Sequence, residues 1–133
     1  MLEREYAKLA PLSATHTVAP LPAAPVGRVV VLEVPGKGGT STEDGGRGHR
    51  ADTVPILNAC VAAGFAAVPR FYMDASAAAV AQECARVDAV IVRVPTDEDV
   101  PGVTLDTLRA MLASVNKVHK CKAKHSDPLY CES

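Results

Sequence analysis

The chain has 133 residues, room for one domain but not two, and a hydrophobic content of 48% is ordinary for a chain that buries a core. A net charge of −1 excludes a general pull toward nucleic acid or an anionic membrane. Aromatics make up only 4% and Trp is absent, so the core must be built from Val, Leu, Ile and Ala, the usual filling of a parallel sheet flanked by helices.

The first 25 residues hold Pro11, Pro20, Pro22 and Pro25 among Ala, Ser and Thr without a sustained period. Residues 1–25 therefore read as a flexible leader. Glu3 and Glu5 count against an organellar transit peptide, which avoids acids, although organellar targeting stays open. No basic region followed by an apolar stretch opens the chain, and no apolar run approaches the roughly 20 residues of a membrane span. A cytoplasmic protein is the expectation.

From Arg28 the pattern becomes orderly. Val29-Val30-Val31-Leu32-Glu33-Val34, stopped by Pro35-Gly36, predicts a strand buried on both faces. Asp52 is placed to cap a helix whose apolar positions Ile56, Leu57, Cys60 and Val61 recur at helical spacing and which ends at Gly64. Pro55 falls in the first turn of that helix, where backbone N–H groups have no partner anyway. A second strand runs from about Ala66 to Met73, and Pro69 within it argues for a sheet edge, because proline cannot donate to the ladder. Asp74 or Ser76 opens an alanine-rich helix through Arg86 with Val80 and Cys84 inward. A third strand, Ala89 to Val94, is broken by Pro95. Thr104 then caps a helix striped by Leu105, Leu108, Leu112 and Val115.

The order β-α-β-α-β-α with right-handed crossovers gives an α/β fold: a small three-layer parallel sheet of three strands in the order 2-1-3, a flavodoxin-like or Rossmann-like half domain over residues 26–116. Residues 117–133 carry Lys117, Lys120, Lys122 and Lys124 and lack the apolar run of a fourth buried strand, so they are read as a basic, disordered tail. Without that fourth strand the edge of residues 90–94 is expected to be open, available to a protein partner or to self-association.

Six of the nine glycines lie between Gly36 and Gly48, in the first β-to-α loop. In a 2-1-3 sheet this loop and Pro95-Thr-Asp-Glu-Asp-Val-Pro101 share the crevice where such folds bind ligands. The candidate ligand-binding residues are Gly36, Lys37, Gly38, Gly39, Arg47, Gly48, His49 and Arg50 on one side, and Asp97 and Asp99 on the other. Bare amides with Arg and Lys suit the oxygens of a phosphate-containing small molecule, and carboxylates suit a Mg²⁺ beside it. Against this stands the plain reading of a surface loop that collects glycine and charge because nothing constrains it.

Known fingerprints fit poorly. No G-x-x-x-x-G-K-[ST] occurs. Gly46-Arg-Gly48-His-Arg-Ala51 satisfies G-x-G-x-x-A, but it comes well after the strand instead of in an immediate tight turn, and the candidate ribose acid Asp74 is late. His119, Cys121, His125 and Cys131 match no regular zinc spacing. Nothing orients a base toward Cys60 or Cys84, which read as core fillers, and reduced thiols are the default for all four cysteines. No catalytic residue emerges.

Gly48-His-Arg-Ala-Asp-Thr-Val-Pro55 after a Val-Pro-Gly-Lys-Gly loop, with Val90-Ile-Val-Arg-Val-Pro95, resembles the N-terminal region of a poorly characterised family related to ATP-grasp proteins. The resemblance covers about Arg28 to Val115. It implies a small α/β domain of pre-ATP-grasp type, which in such proteins precedes the nucleotide-binding halves, with Mg-ATP bound only in a longer homologous protein. The fourth strand and the ATP-binding elements of that family are absent after Val115. The expectation is a module that is not catalytic alone and acts in binding a partner or an anionic ligand; the alternative is a small nucleotide- or phosphate-binding enzyme using the Gly36–Arg50 loop.

Overall fold

The computed structural model describes residues 19–34, 50, 52–94 and 100–124. Three parallel strands, β1 (Arg28–Glu33), β2 (Ala66–Phe71) and β3 (Ala89–Arg93), form a sheet in the order β2-β1-β3. The helices alternate with them: α1 (Thr53–Ala62), α2 (Ala77–Ala85, entered through a 3-10 turn at Asp74–Ser76) and α3 (Leu105–Lys124). The fold is the α/β arrangement, with the strand order, that the sequence predicts.

The central position of β1 follows from its composition. Val30, Val31 and Leu32 are fully buried, which is the condition of a strand paired on both edges and covered on both faces. Pro69 sits in β2, an edge strand, opposite Val31. There a missing N–H costs the sheet least. Right-handed crossovers place α1 on one face and α2 with α3 on the other, and the packing agrees: α1 lies on β1 and β2, while α2 lies against α3. Val30, Leu32, Val80, Cys84, Leu108, Met111 and Val115 belong to one buried cluster.

α1 stops where the sequence says it should, and the backbone shows why. Phe65 N–H donates to the Cys60 carbonyl at 3.0 Å and Gly64 N–H to that of Val61 at 2.9 Å. Gly64 has a φ of +97°, the left-handed conformation that this helix ending requires. The second left-handed glycine, Gly102 (φ +79°), follows Pro101 in the turn closed by Val103 N–H on the Val100 carbonyl at 3.1 Å, the arrangement of a type II turn.

Three details differ from the sequence reading. The last helix runs on through Lys124, past the boundary placed at 116, because its C-terminal half has work against α2. His119 Nε2 lies 3.0 Å from the Cys84 carbonyl oxygen and Lys122 Nζ donates to that of Ala85 at 2.5 Å, so two side chains of α3 satisfy the end of α2. The leader is not loose as far as residue 25: Ala19 N–H donates to Asn58 Oδ1 at 2.9 Å, and Leu21 packs on the core. Cys60 and Cys84 are free thiols as expected, whereas Cys121 is disulfide-bonded.

Candidate functional site

The strand order puts the predicted crevice at the C-terminal ends of β1 and β3, beside the start of α1; residues 35–49 and 95–99, the loops expected to share it, lie outside the described residues. Of the ten candidate residues, Arg50 is described here; Gly36, Lys37, Gly38, Gly39, Arg47, Gly48, His49, Asp97 and Asp99 lie outside the described residues.

At that end of the sheet stands a residue the sequence reading passed over. Glu33, the last residue of β1, is fully buried. Its Oε1 accepts the Arg50 N–H at 3.0 Å and the Thr53 hydroxyl at 2.8 Å, and Thr53 is fully buried with it. A carboxylate held at the start of a helix interacts favourably with the positive end of the peptide dipoles. Glu33 thus occupies, as part of the protein, a place that an anionic ligand could have taken. The signal for it was in the sequence: one acid inside an otherwise apolar run whose neighbours all had to be buried.

Asp52 does not cap α1. Its backbone is in the helical region (φ −95°, ψ −8°) instead of the extended conformation from which a capping side chain reaches back, and it makes no side-chain cap bond. Its carboxylate pairs with the Arg93 guanidinium at the end of β3. Both side chains are substantially exposed, so the pair is worth at most about 1 kcal/mol, but it closes the gap between α1 and β3 on that side.

The wall beyond β2 is a second closed network. Tyr72, fully buried, donates its hydroxyl to Asp74 Oδ1 at 2.9 Å. Asp74 Oδ2 accepts the Thr104 N–H at 2.9 Å and the Thr104 hydroxyl at 2.8 Å, and the Asp74 N–H donates to the Gly102 carbonyl at 2.9 Å. Thr104 does begin α3, since Leu108 N–H donates to its carbonyl at 3.1 Å, while its side chain is turned to Asp74. Burial, and then the hydrogen bond and charge of Asp74, push the Tyr72 hydroxyl up to about 12. Tyr72 therefore stays neutral at physiological pH.

Cys84 offers no nucleophile: burial, followed by the neighbouring Glu83 charge, pushes its thiol up to about 11, with Arg70 acting weakly the other way. Arg70 Nε donates to Glu83 Oε2 at 2.9 Å, tying the end of β2 to α2. Among the described residues no group of three or more His, Cys, Asp or Glu is arranged to hold a metal ion. His119, one of the metal-capable residues noted in the sequence, faces the Cys84 carbonyl; His125 and Cys131 lie outside the described residues.

A second feature lies at the outer edge of β3. Among the described residues no strand pairs with that edge, and Val92 is 39% exposed. Val90 and Val92, with Leu112, Val115, Asn116 and His119 of α3, line an open groove of about 410 Å³ between strand and helix. Its lining is largely apolar. Among the described residues no helix is long and apolar enough to cross a membrane. The chain matches no family model, no curated protein and no solved structure.

Proposed function

We propose that this chain is a binding module of pre-ATP-grasp type, not catalytic alone, that engages a protein partner through the open edge of β3. The observation that carries the reading is the contrast between crevice and edge. At the C-terminal end of the sheet the described polar groups are already matched to one another: Glu33 to the Arg50 N–H and Thr53, Asp52 to Arg93, Asp74 to Tyr72 and Thr104. At the edge, β3 offers a row of backbone donors and acceptors beside the half-exposed Val92. The fitting occupant is an extended segment with apolar side chains on alternate positions, added as a further strand. A cytoplasmic setting fits this reading.

A second reading keeps the crevice as the working site, with the Gly36–Arg50 loop holding a nucleotide or another phosphate-containing small molecule. It is favoured by the position of Arg50, which the Glu33 bond holds at the start of α1, near the ends of β1 and β3. Calorimetric titration of the full chain with Mg-ATP, NAD, FMN and inorganic phosphate separates the two. The partner-binding reading expects flat titrations. Stoichiometric micromolar binding that disappears in Arg50→Ala would replace it with the second.

A further inference from the structure

The proposed edge has a sequence that reads on itself. Viewed from Ile91, β3 is Ala89-Val90-Ile91-Val92-Arg93, with a valine on either side of the centre. Two copies running antiparallel about a two-fold axis at Ile91 would set Ile91 opposite Ile91, Val90 opposite Val92, and Ala89 opposite Arg93. Every valine then meets a valine, and neither arginine meets its own copy. Like charges directly opposite one another are what would oppose such a pairing, and the arrangement has none. Arg93 is moreover already paired with Asp52 of its own chain. A centre at Val90 brings Asp88 opposite Val92 and Val87 opposite Arg93, both from outside β3, while a centre at Val92 sets Ile91 opposite Arg93 and must draw in Val94, which lies past the end of β3 and is buried.

From this we infer that the occupant of the β3 edge is a second copy of this chain, joined by antiparallel β3–β3 pairing into a continuous six-stranded sheet. The inference rests on the edge-binding reading and names its partner. An in-sheet two-fold stands perpendicular to the sheet, so the same face of both copies lies on the same side and the two α3 helices approach each other across the axis. Val90 and Val92 share the face of Val30 and Leu32, toward α3, by their register on β1. The apolar groove between β3 and α3 therefore opens toward the axis, where the matching groove of the other copy meets it. Leu112, Ala113 and Asn116 line it from the helix and carry no charge. The opposite edge of the sheet is a poorer candidate, since β2 carries Pro69.

Five residues of strand span only about 16 Å. Pairing of that length buries less than the roughly 1,200 Å² of a standard specific interface unless the α3 grooves close over it, so a reversible dimer in the micromolar range is expected.

Sedimentation equilibrium of the full chain from low to high micromolar concentration is the test. Wild type should show a reversible monomer–dimer equilibrium. Ile91→Lys and Ile91→Asp place like charges on the axis and should each weaken association about tenfold or more. An equimolar mixture of the two should recover a dimer containing one of each. Val92→Lys, at an exposed position, should weaken association while leaving the circular dichroism spectrum unchanged, which guards against Ile91 variants that fail to fold. The inference is overturned if the wild type is monomeric throughout, if dimers persist undiminished in the single variants, or if the mixture fails to recover them while both variants are folded. A monomer that is also inert toward Mg-ATP overturns the dimer alone and leaves a different protein as the partner; a chain that binds Mg-ATP stoichiometrically through Arg50 overturns the edge reading itself.

Discussion

β1 and β3 are neighbouring strands of similar composition, in register over five residues, and they meet opposite fates. β1 is covered on both faces and paired on both edges, so that even its glutamate is fully buried. β3 is paired on one edge among the described residues, and its middle and end are half-exposed. A small parallel sheet needs one fully buried strand to hold it together and can leave the strand beside it open. Here the buried strand supplies stability, and even its buried glutamate serves the packing of α1.

The largest expected effect falls on β1. Leu32 is fully buried at the centre of the main cluster, so Leu32→Ala should cost about 2–5 kcal/mol through lost transfer energy and the cavity left behind. Urea denaturation followed by circular dichroism measures it. A cost below about 1 kcal/mol would mean that the centre of the sheet is not the stabilising element, and the contrast with β3 would collapse.

Next comes the buried carboxylate. Glu33→Leu leaves the Thr53 hydroxyl and the Arg50 N–H without their acceptor, which should destabilise the chain by about 2–3 kcal/mol. Glu33→Gln should cost less, because the amide oxygen still accepts. Equal losses for the two would show that the negative charge at the start of α1, and not the acceptor, is what matters there.

Tyr72 adds a pH-dependent contribution at the far end of the sheet. Its hydroxyl ionises at about 12 in the folded chain against an ordinary 10.0, so folding favours the neutral form. The stabilisation is fully present below pH 10 and is lost as pH rises from about 10 to about 12, on the order of 2 kcal/mol in all. Cys84, pushed up to about 11, adds a loss of the same sign starting near pH 9. Denaturation midpoints across this range in wild type and Tyr72→Phe isolate the tyrosine: the variant should be weaker at neutral pH by about 1 kcal/mol, for the lost bond to Asp74, and should decline less steeply in alkali.

The fold was legible because burial writes itself into residue type. The Val29–Val34 run, the proline in β2 and Gly64 each answer a local steric or hydrogen-bonding demand, and together they settle the strand order. The site was less legible for a physical reason: a polar side chain declares its chemistry in the sequence but not its partner. Asp52 has the right type and position to cap α1, yet a guanidinium from β3, 41 residues along the chain, claims it. Likewise the lysines after Val115 read as a solvated tail by composition, while Lys122 in fact reaches the end of α2. Glu33 could have been found by asking where a lone acid in a buried strand must put its charge.

The smallest expected effect is the most discriminating. Val92 is the register partner of Leu32, on the same face of the sheet, yet it is 39% exposed where Leu32 is fully buried. In dilute solution Val92→Ala should cost about 1 kcal/mol, less than a fully buried valine, since about two-fifths of the residue stays in contact with water in a single copy. If β3 pairs with a second copy, that cost must grow with protein concentration, because association stabilises the folded state by mass action and the substitution removes part of the associated contact. Denaturation of wild type and Val92→Ala at low and high micromolar concentration therefore reads the edge directly. A difference that stays constant with concentration would mean that β3 is open in solution and that its exposure is a property of the isolated fold.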